Sequence, residues 1–215
     1  MTGPLRPART TASIEAYVAA RKAEAIDAER LRTLDRLAST IADALDERGA
    51  VDLVFICTHN SRRSQLSEVW AQVAADAAGV GGVRTFSGGT EATAFNPRAV
   101  AALRRTGLTV EAQTEGANPR YEVSGGGLRN PHDCWSKTFG DVANPSSDFV
   151  AVMTCSDADE ACPVVAGASA RVALTYVDPK VSDGTDAEEE TYDARCAQIA
   201  CELFHVFDEV AALRR

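Results

Sequence analysis

The stretch that most constrains this chain is VDLVFIC (Val51 to Cys57) running directly into THNSRRS and a helix. A short, nearly continuous apolar run reads as a strand covered on both faces, which is the environment of a parallel sheet. After the loop, Leu66, Val69, Trp70 and Val73 recur at helical spacing over Ser64 to Ala78. Such a strand requires parallel neighbours and helices above and below it. The remaining sequence supplies candidates: strands over Val83 to Phe86, Asp148 to Cys155 (DFVAVMTC) and Arg171 to Tyr176. A helix over Asn96 to Arg105 is closed by Gly107, and a last helix over Glu188 to Leu213 carries Ile199, Leu203, Val206 and Val210 on one face. Strands alternating with helices predict an α/β, three-layer domain with a central parallel sheet flanked by helices, over residues 51–215.

The flanks and the middle add three further pieces. Residues 1–12 read as a flexible tail. Residues 13–48, rich in Ala, Glu, Arg and Leu, read as an N-terminal helical extension of one long helix or two short ones, with Leu34, Leu37, Ile41 and Leu45 as an apolar stripe and Gly49 as the stop. Residues 116–147 hold a Gly triplet and Pro119, Pro131 and Pro145. A structureless connection of that length is uncommon in a compact domain, so it is either a functional flap or carries elements of its own.

Composition narrows the function classes. Asp plus Glu number 31 against 22 Lys plus Arg, a formal charge of −9. An acidic surface repels nucleic acid and anionic lipid, so neither is expected as a partner. The N-terminal residues lack the apolar run of a signal peptide, and no stretch reaches the length of a membrane span. The expected compartment is a reducing cytoplasm, where the six cysteines are catalytic, metal-binding or buried rather than structural disulfides.

Cys57 and Arg63 bracket five residues at the strand-to-helix turn. Backbone N–H groups converge in such a loop and, with the helix N-terminus, form a nest for a tetrahedral oxyanion. The same positive field favours a thiolate, which makes Cys57 the candidate nucleophile. Arg63 offers a bidentate fork to two anion oxygens. Ser64 can donate a hydroxyl hydrogen bond to the sulfur, and Asn60 tolerates a left-handed backbone in mid-loop. The oxyanion-binding set is therefore Thr58, His59, Asn60, Ser61, Arg62, Arg63 and Ser64.

Two further features bear on chemistry. Asp178, before Pro179 and just beyond a strand, is either a general acid or half of a common turn pair. Cys155 and Cys162, in CSDADEACP, have three readings: inert thiols, zinc ligands or a redox pair. Zinc would need further ligands such as His132 and Cys134, whose spacing is not a usual half-site, so no metal is assigned.

FICTHNSRRSQLSE resembles the phosphate-binding loop of the low-molecular-weight protein tyrosine phosphatase superfamily, which includes the thioredoxin-coupled arsenate reductases. Here His59 stands where Gly is usual and Arg62 where a second Cys is common. The resemblance continues through FSGGTEATAFNPRAVAALRRTG, VMTCSDADEACP and YVDPK. It implies the low-molecular-weight phosphatase-like fold, with Asp178 as the acid. Cys155 to Pro163 matches the Cys–Cys-Pro segment of the reductases, which plain phosphatases lack. It further implies a relay in which Cys57 attacks arsenate, Cys155 displaces arsenite, and Cys162 attacks the Cys57–Cys155 disulfide. Thioredoxin or a similar thiol reductant then reduces the product disulfide, and no cofactor is required.

The other singled-out residues have plainer expectations. Cys196 and Cys201 pack in the last helix, with His205 partly buried nearby. Trp135 and Tyr121 are placed to cover the site. The expected activity is arsenate reduction. Hydrolysis of a phosphotyrosine or small phosphomonoester through a phosphocysteine is the alternative, and a binding module without turnover is a third reading.

Overall fold

The computed structural model describes residues 14–161 and 164–215. The expected tail over residues 1–12 and the candidate relay residue Cys162 lie outside the described residues. In chain order the elements are α1 (Ile14–Lys22), α2 (Ala28–Arg48), β1 (Val51–Cys57), α3 (Arg63–Ala77), β2 (Val83–Gly89) and α4 (Pro97–Arg105). They continue with β3 (Thr109–Ala112), β4 (Tyr121–Ser124), β5 (His132–Cys134), β6 (Phe149–Met153), α5 (Ser156–Ala161), β7 (Ala168–Ala173) and α6 (Glu188–Leu213).

The central sheet has the order β2-β1-β6-β7 with every pairing parallel. Strand alternation divides its side chains between two layers. Leu53 and Phe55 of β1, with Val150 and Val152 of β6, enter a core shared with α2, α3, α4 and α6. Val54, Ile56, Ala151 and Met153 enter a second cluster with Ala158 of α5 and Val165. Both faces of β1 are thus covered, which is why its sequence is apolar without alternation. Among the described residues, no helix is long and apolar enough to cross a membrane.

The N-terminal helical segment divides in two because Asp27 caps α2, its carboxylate accepting the N–H groups of Glu29 and Arg30. Gly49 closes α2 at φ 72°, where a side chain would strain the backbone. Leu34, Leu37, Ile41 and Leu45 are essentially inaccessible and share the main core. Helix α1 packs beside them, its Tyr17 ring stacked on Trp70 of α3 at 5.4 Å.

The 116–147 stretch carries elements of its own. These are β4 and β5, which join β3, just ahead of the stretch, in a separate antiparallel sheet. YEVS and HDC each bury one residue, Val123 and Cys134, so neither shows a readable period. The chain beyond β5 then runs alongside the end of β2. Gly89 N–H donates to Lys137 O at 2.9 Å, and Phe139 N–H donates back to Gly89 O at 2.9 Å.

Candidate active site

The loop between β1 and α3 is shaped by where its carbonyls go. Thr58 O accepts from the Glu91 N–H at 2.9 Å, and Ser61 O accepts from the Asn96 N–H at 2.9 Å. His59 O accepts from Thr93 Oγ1 at 3.1 Å and Ser136 Oγ at 3.0 Å. Asn60 O accepts from Gln65 Nε2 at 3.2 Å. In a trans peptide the next residue's N–H points opposite to the carbonyl. Turning four consecutive carbonyls outward therefore turns the N–H groups of His59, Asn60, Ser61 and Arg62 toward the concave side, an arrangement suited to an anion.

Asn60 sits at φ 45°, the left-handed region its side chain tolerates. Its Oδ1 accepts from the Lys137 N–H at 2.8 Å, which fixes the amide's orientation. Its Nδ2 donates to Ser87 Oγ at 2.8 Å and to Ser64 Oγ at 2.9 Å. Since Ser64 Oγ accepts from Asn60, its own hydrogen is free for Cys57 Sγ, 3.1 Å away. The loop thus orients a donor at the sulfur through a buried network. Gly89 beneath it has no room for a side chain: a Cβ would overlap Thr58 O, Asn60 N and Glu91 O.

Arg63 opens α3 and is 8% exposed. Its Nη1 donates to Tyr176 O at 3.0 Å and its Nη2 to Asp178 Oδ2 at 2.9 Å. Its Nε is buried without a hydrogen-bond partner among the described residues. Asp178 also caps the short turn Pro179–Ser182 by accepting the Lys180 N–H. A cavity of about 430 Å³ opens over Thr58, His59, Arg63, Ser156, Asp178 and Lys180. Cys57 lies at the end of β1 and is 3% exposed.

Arg62 points elsewhere. Its Nε donates to Tyr192 Oη at 2.8 Å, and its Nη2 reaches Asp183 at 3.4 Å. Burial and the Asp183 hydrogen bond push the Tyr192 phenol up to about 12, so it stays protonated and donates to Asp183. Arg62 ties the loop to the segment following Asp178 instead of lining the cavity. His59 pairs with Glu91 at 2.9 Å on the rim.

Cys155 is fully buried beyond β6, with its Sγ 3.6 Å from Thr58 Oγ1. It therefore neighbours the residue that follows Cys57. The Ala158 N–H donates to the same sulfur at 3.4 Å. The described cysteines 57, 134, 155, 196 and 201 are all free thiols. Cys196 and Cys201 are buried in α6, away from the loop, and His205 pairs with Asp35 at 2.9 Å.

The two flap aromatics do not cover the cavity. Tyr121 packs edge-on against Phe95, and the Arg120 and Lys137 cations lie over the Trp135 ring, 4.0 and 4.2 Å from its centroid. Tyr176 borders the cavity, but its ring stacks under Arg30. Sequence reading missed Gln65, Ser87 and Lys137, which hold the loop from behind, and Lys180 on the rim. Lys180 stands in the quoted YVDPK, but a buried lysine such as Lys137 has no sequence signature.

Residues 52–120 match the low molecular weight phosphotyrosine protein phosphatase family. An arsenate reductase of Halalkalibacterium halodurans is 30% identical over 138 residues, covering 64% of this chain and 80% of the relative. An arsenate reductase of Bacillus subtilis is 29% identical over 144 residues, covering 66% and 84%. In fold, a low molecular weight protein tyrosine phosphatase from Bacillus subtilis superposes with a TM-score of 0.50 at 17% identity, covering 77% of this chain and all of that one.

Proposed function

This chain belongs to the low molecular weight phosphotyrosine protein phosphatase family, and on that premise we propose that it reduces arsenate to arsenite through Cys57 and a thiol relay. The observation that carries the reading is the second cysteine: Cys155 Sγ lies 3.6 Å from Thr58 Oγ1, beside the nucleophile's own loop. A phosphatase has no use for a thiol there. Among the described residues the one aromatic bordering the cavity, Tyr176, has its ring under Arg30, which leaves no ring there to sandwich an aryl ester and favours a small inorganic oxyanion. The arsenate reductases among its relatives point the same way.

Arsenate enters the loop, where inward N–H groups and Arg63 hold its oxygens. The Cys57 thiolate attacks arsenic, and Asp178 protonates the departing oxygen, which leaves as water. Cys155 then attacks Cys57 Sγ. The electron pair of the S–As bond passes to arsenic, taking it from the +5 to the +3 state as two thiols become one disulfide. Cys162, in the CSDADEACP segment, resolves that disulfide and forms a Cys155–Cys162 bond for thioredoxin or a similar dithiol to reduce.

The test is arsenate-dependent NADPH consumption with thioredoxin and its reductase. It should be lost in Cys57→Ser, Cys155→Ser and Cys162→Ser. Turnover that survives Cys162→Ser contradicts the relay. Aryl phosphate hydrolysis without arsenate turnover makes the protein a phosphatase instead.

A further inference from the structure

Outside the oxyanion loop, three side chains of metal-ligating type converge on one point. Glu68 lies on α3, one turn beyond Ser64, and is 2% exposed. His132 and Cys134 stand two apart on β5, so strand alternation sends both to one face. That face meets Glu68: His132 Nε2 is 3.2 Å from Glu68 Oε1. One ligand atom from each of Glu68, His132 and Cys134 lies within 4.8 Å of the other two. A second observation concerns the carboxylate: its Oε2 is buried and no donor among the described residues sits in direct hydrogen-bonding geometry to it, Ser87 and Lys137 acting on the group from close by. Leaving a carboxylate oxygen unsatisfied is costly, and a cation beside it removes that cost.

We propose that Glu68, His132 and Cys134 form a binding site for a divalent transition-metal ion, zinc(II) by donor type. One thiolate, one imidazole and one carboxylate suit a borderline-soft cation better than the all-oxygen preference of magnesium or calcium. Tetrahedral zinc, with bonds of about 2.0–2.3 Å, needs ligand atoms roughly 3.3–3.8 Å apart. The Glu68–His132 pair already stands there, and the cluster has only to tighten by about 1 Å. Lys137 is the competing cation in this pocket, its charge acting on both Glu68 and Cys134. Thiolate and carboxylate together neutralise a divalent ion, so the ligand set adds no net charge beside that ammonium. The ion would pin the three-residue strand β5, an edge of the small sheet, to the helix that carries Arg63 and Ser64.

The experiment uses the full-length reduced protein with zinc(II) alone, in competition with a chromophoric chelator, and cobalt(II) alone, followed by thiolate-to-cobalt charge-transfer absorption. One equivalent is expected to bind. The band should persist in the triple variant Cys57→Ser, Cys155→Ser, Cys162→Ser and vanish in Cys134→Ser. His132→Asn, a half-buried change checked for native circular dichroism, should weaken zinc binding at least ~100-fold, beyond the ~10–100-fold of losing an outer-shell partner. Absence of stoichiometric uptake overturns the site. So does a band that survives Cys134→Ser, one that disappears in the triple variant, or unchanged affinity in His132→Asn.

Discussion

Arg63 Nη2 stands 2.9 Å from Asp178 Oδ2, so the cation that would hold an oxyanion and the carboxylate that would protonate it are partners before substrate arrives. Under the proposed mechanism, an arriving oxyanion would compete with Asp178 for the guanidinium. Such an exchange would couple oxyanion binding to the release of Asp178. Asp178→Asn removes the competing carboxylate and, with it, the proposed proton donor. Phosphate or arsenate should then bind several-fold more tightly, while turnover falls by about 10²–10⁴. Equilibrium titration beside steady-state kinetics separates the two effects, and a loss of affinity in the variant contradicts the coupling.

Arg63→Lys keeps the charge but loses the planar fork and its contacts to Tyr176 O and Asp178. Oxyanion affinity should drop by about tenfold or more, the scale of one charge-assisted hydrogen bond of ~1.5–3 kcal/mol. Phosphate protection of Cys57 from alkylation reads this out directly.

Gly89→Ala forces a Cβ into the backbone of Thr58, Asn60 and Glu91. The loop must shift, and oxyanion binding should be lost even where circular dichroism shows the sheet intact. Gly81→Ala is the control, since nothing lies within 4 Å of a Cβ there. An 89 variant that binds phosphate as tightly as the parent contradicts the loop geometry.

Leu37 in α2 is completely buried in the main core. If the N-terminal helical segment folds with the domain, Leu37→Ala should cost about 2–5 kcal/mol of global stability in a single transition. Two separated unfolding transitions by denaturant titration would show that α2 is dispensable to the rest.

Cys196 is fully buried in α6, where desolvation pushes its thiol up to about 12, and burial pushes Cys201 up to about 11. A thiol raised by folding stabilises the native state fully below its unfolded value of about 8.5 and loses that contribution as pH climbs toward the folded value. Stability should therefore decline from about pH 8.5 upward. Cys196→Ala should flatten that decline while lowering stability at neutral pH. An unchanged slope in the variant contradicts the assignment.

The strand–loop–helix unit was readable because each local signal agreed with the others. A buried strand demanded an apolar run, and Asn60 suited the left-handed turn it occupies at φ 45°. The three-layer architecture followed from the same alternation of strands and helices. The β3-β4-β5 sheet was not readable, since strands of three and four residues burying only Val123 and Cys134 set up no period. Arg62 falls among the oxyanion ligands by its place in the loop, yet its side chain donates to Tyr192, 130 positions away, a partner no local pattern announces. Trp135 was expected over the site because aromatics in a flap suggest a cover. Flanking cations at Arg120 and Lys137 hold it aside.

In the proposed relay, two thiols of this chain supply both electrons for each arsenate. It is tested most directly by a single turnover of fully reduced protein with arsenate and no external reductant, with arsenic speciation and a thiol count. About one arsenite released and one disulfide formed per chain are expected, and neither in Cys57→Ser or Cys155→Ser. Wild-type protein that hydrolyses an aryl phosphate but releases no arsenite under these conditions would contradict the relay.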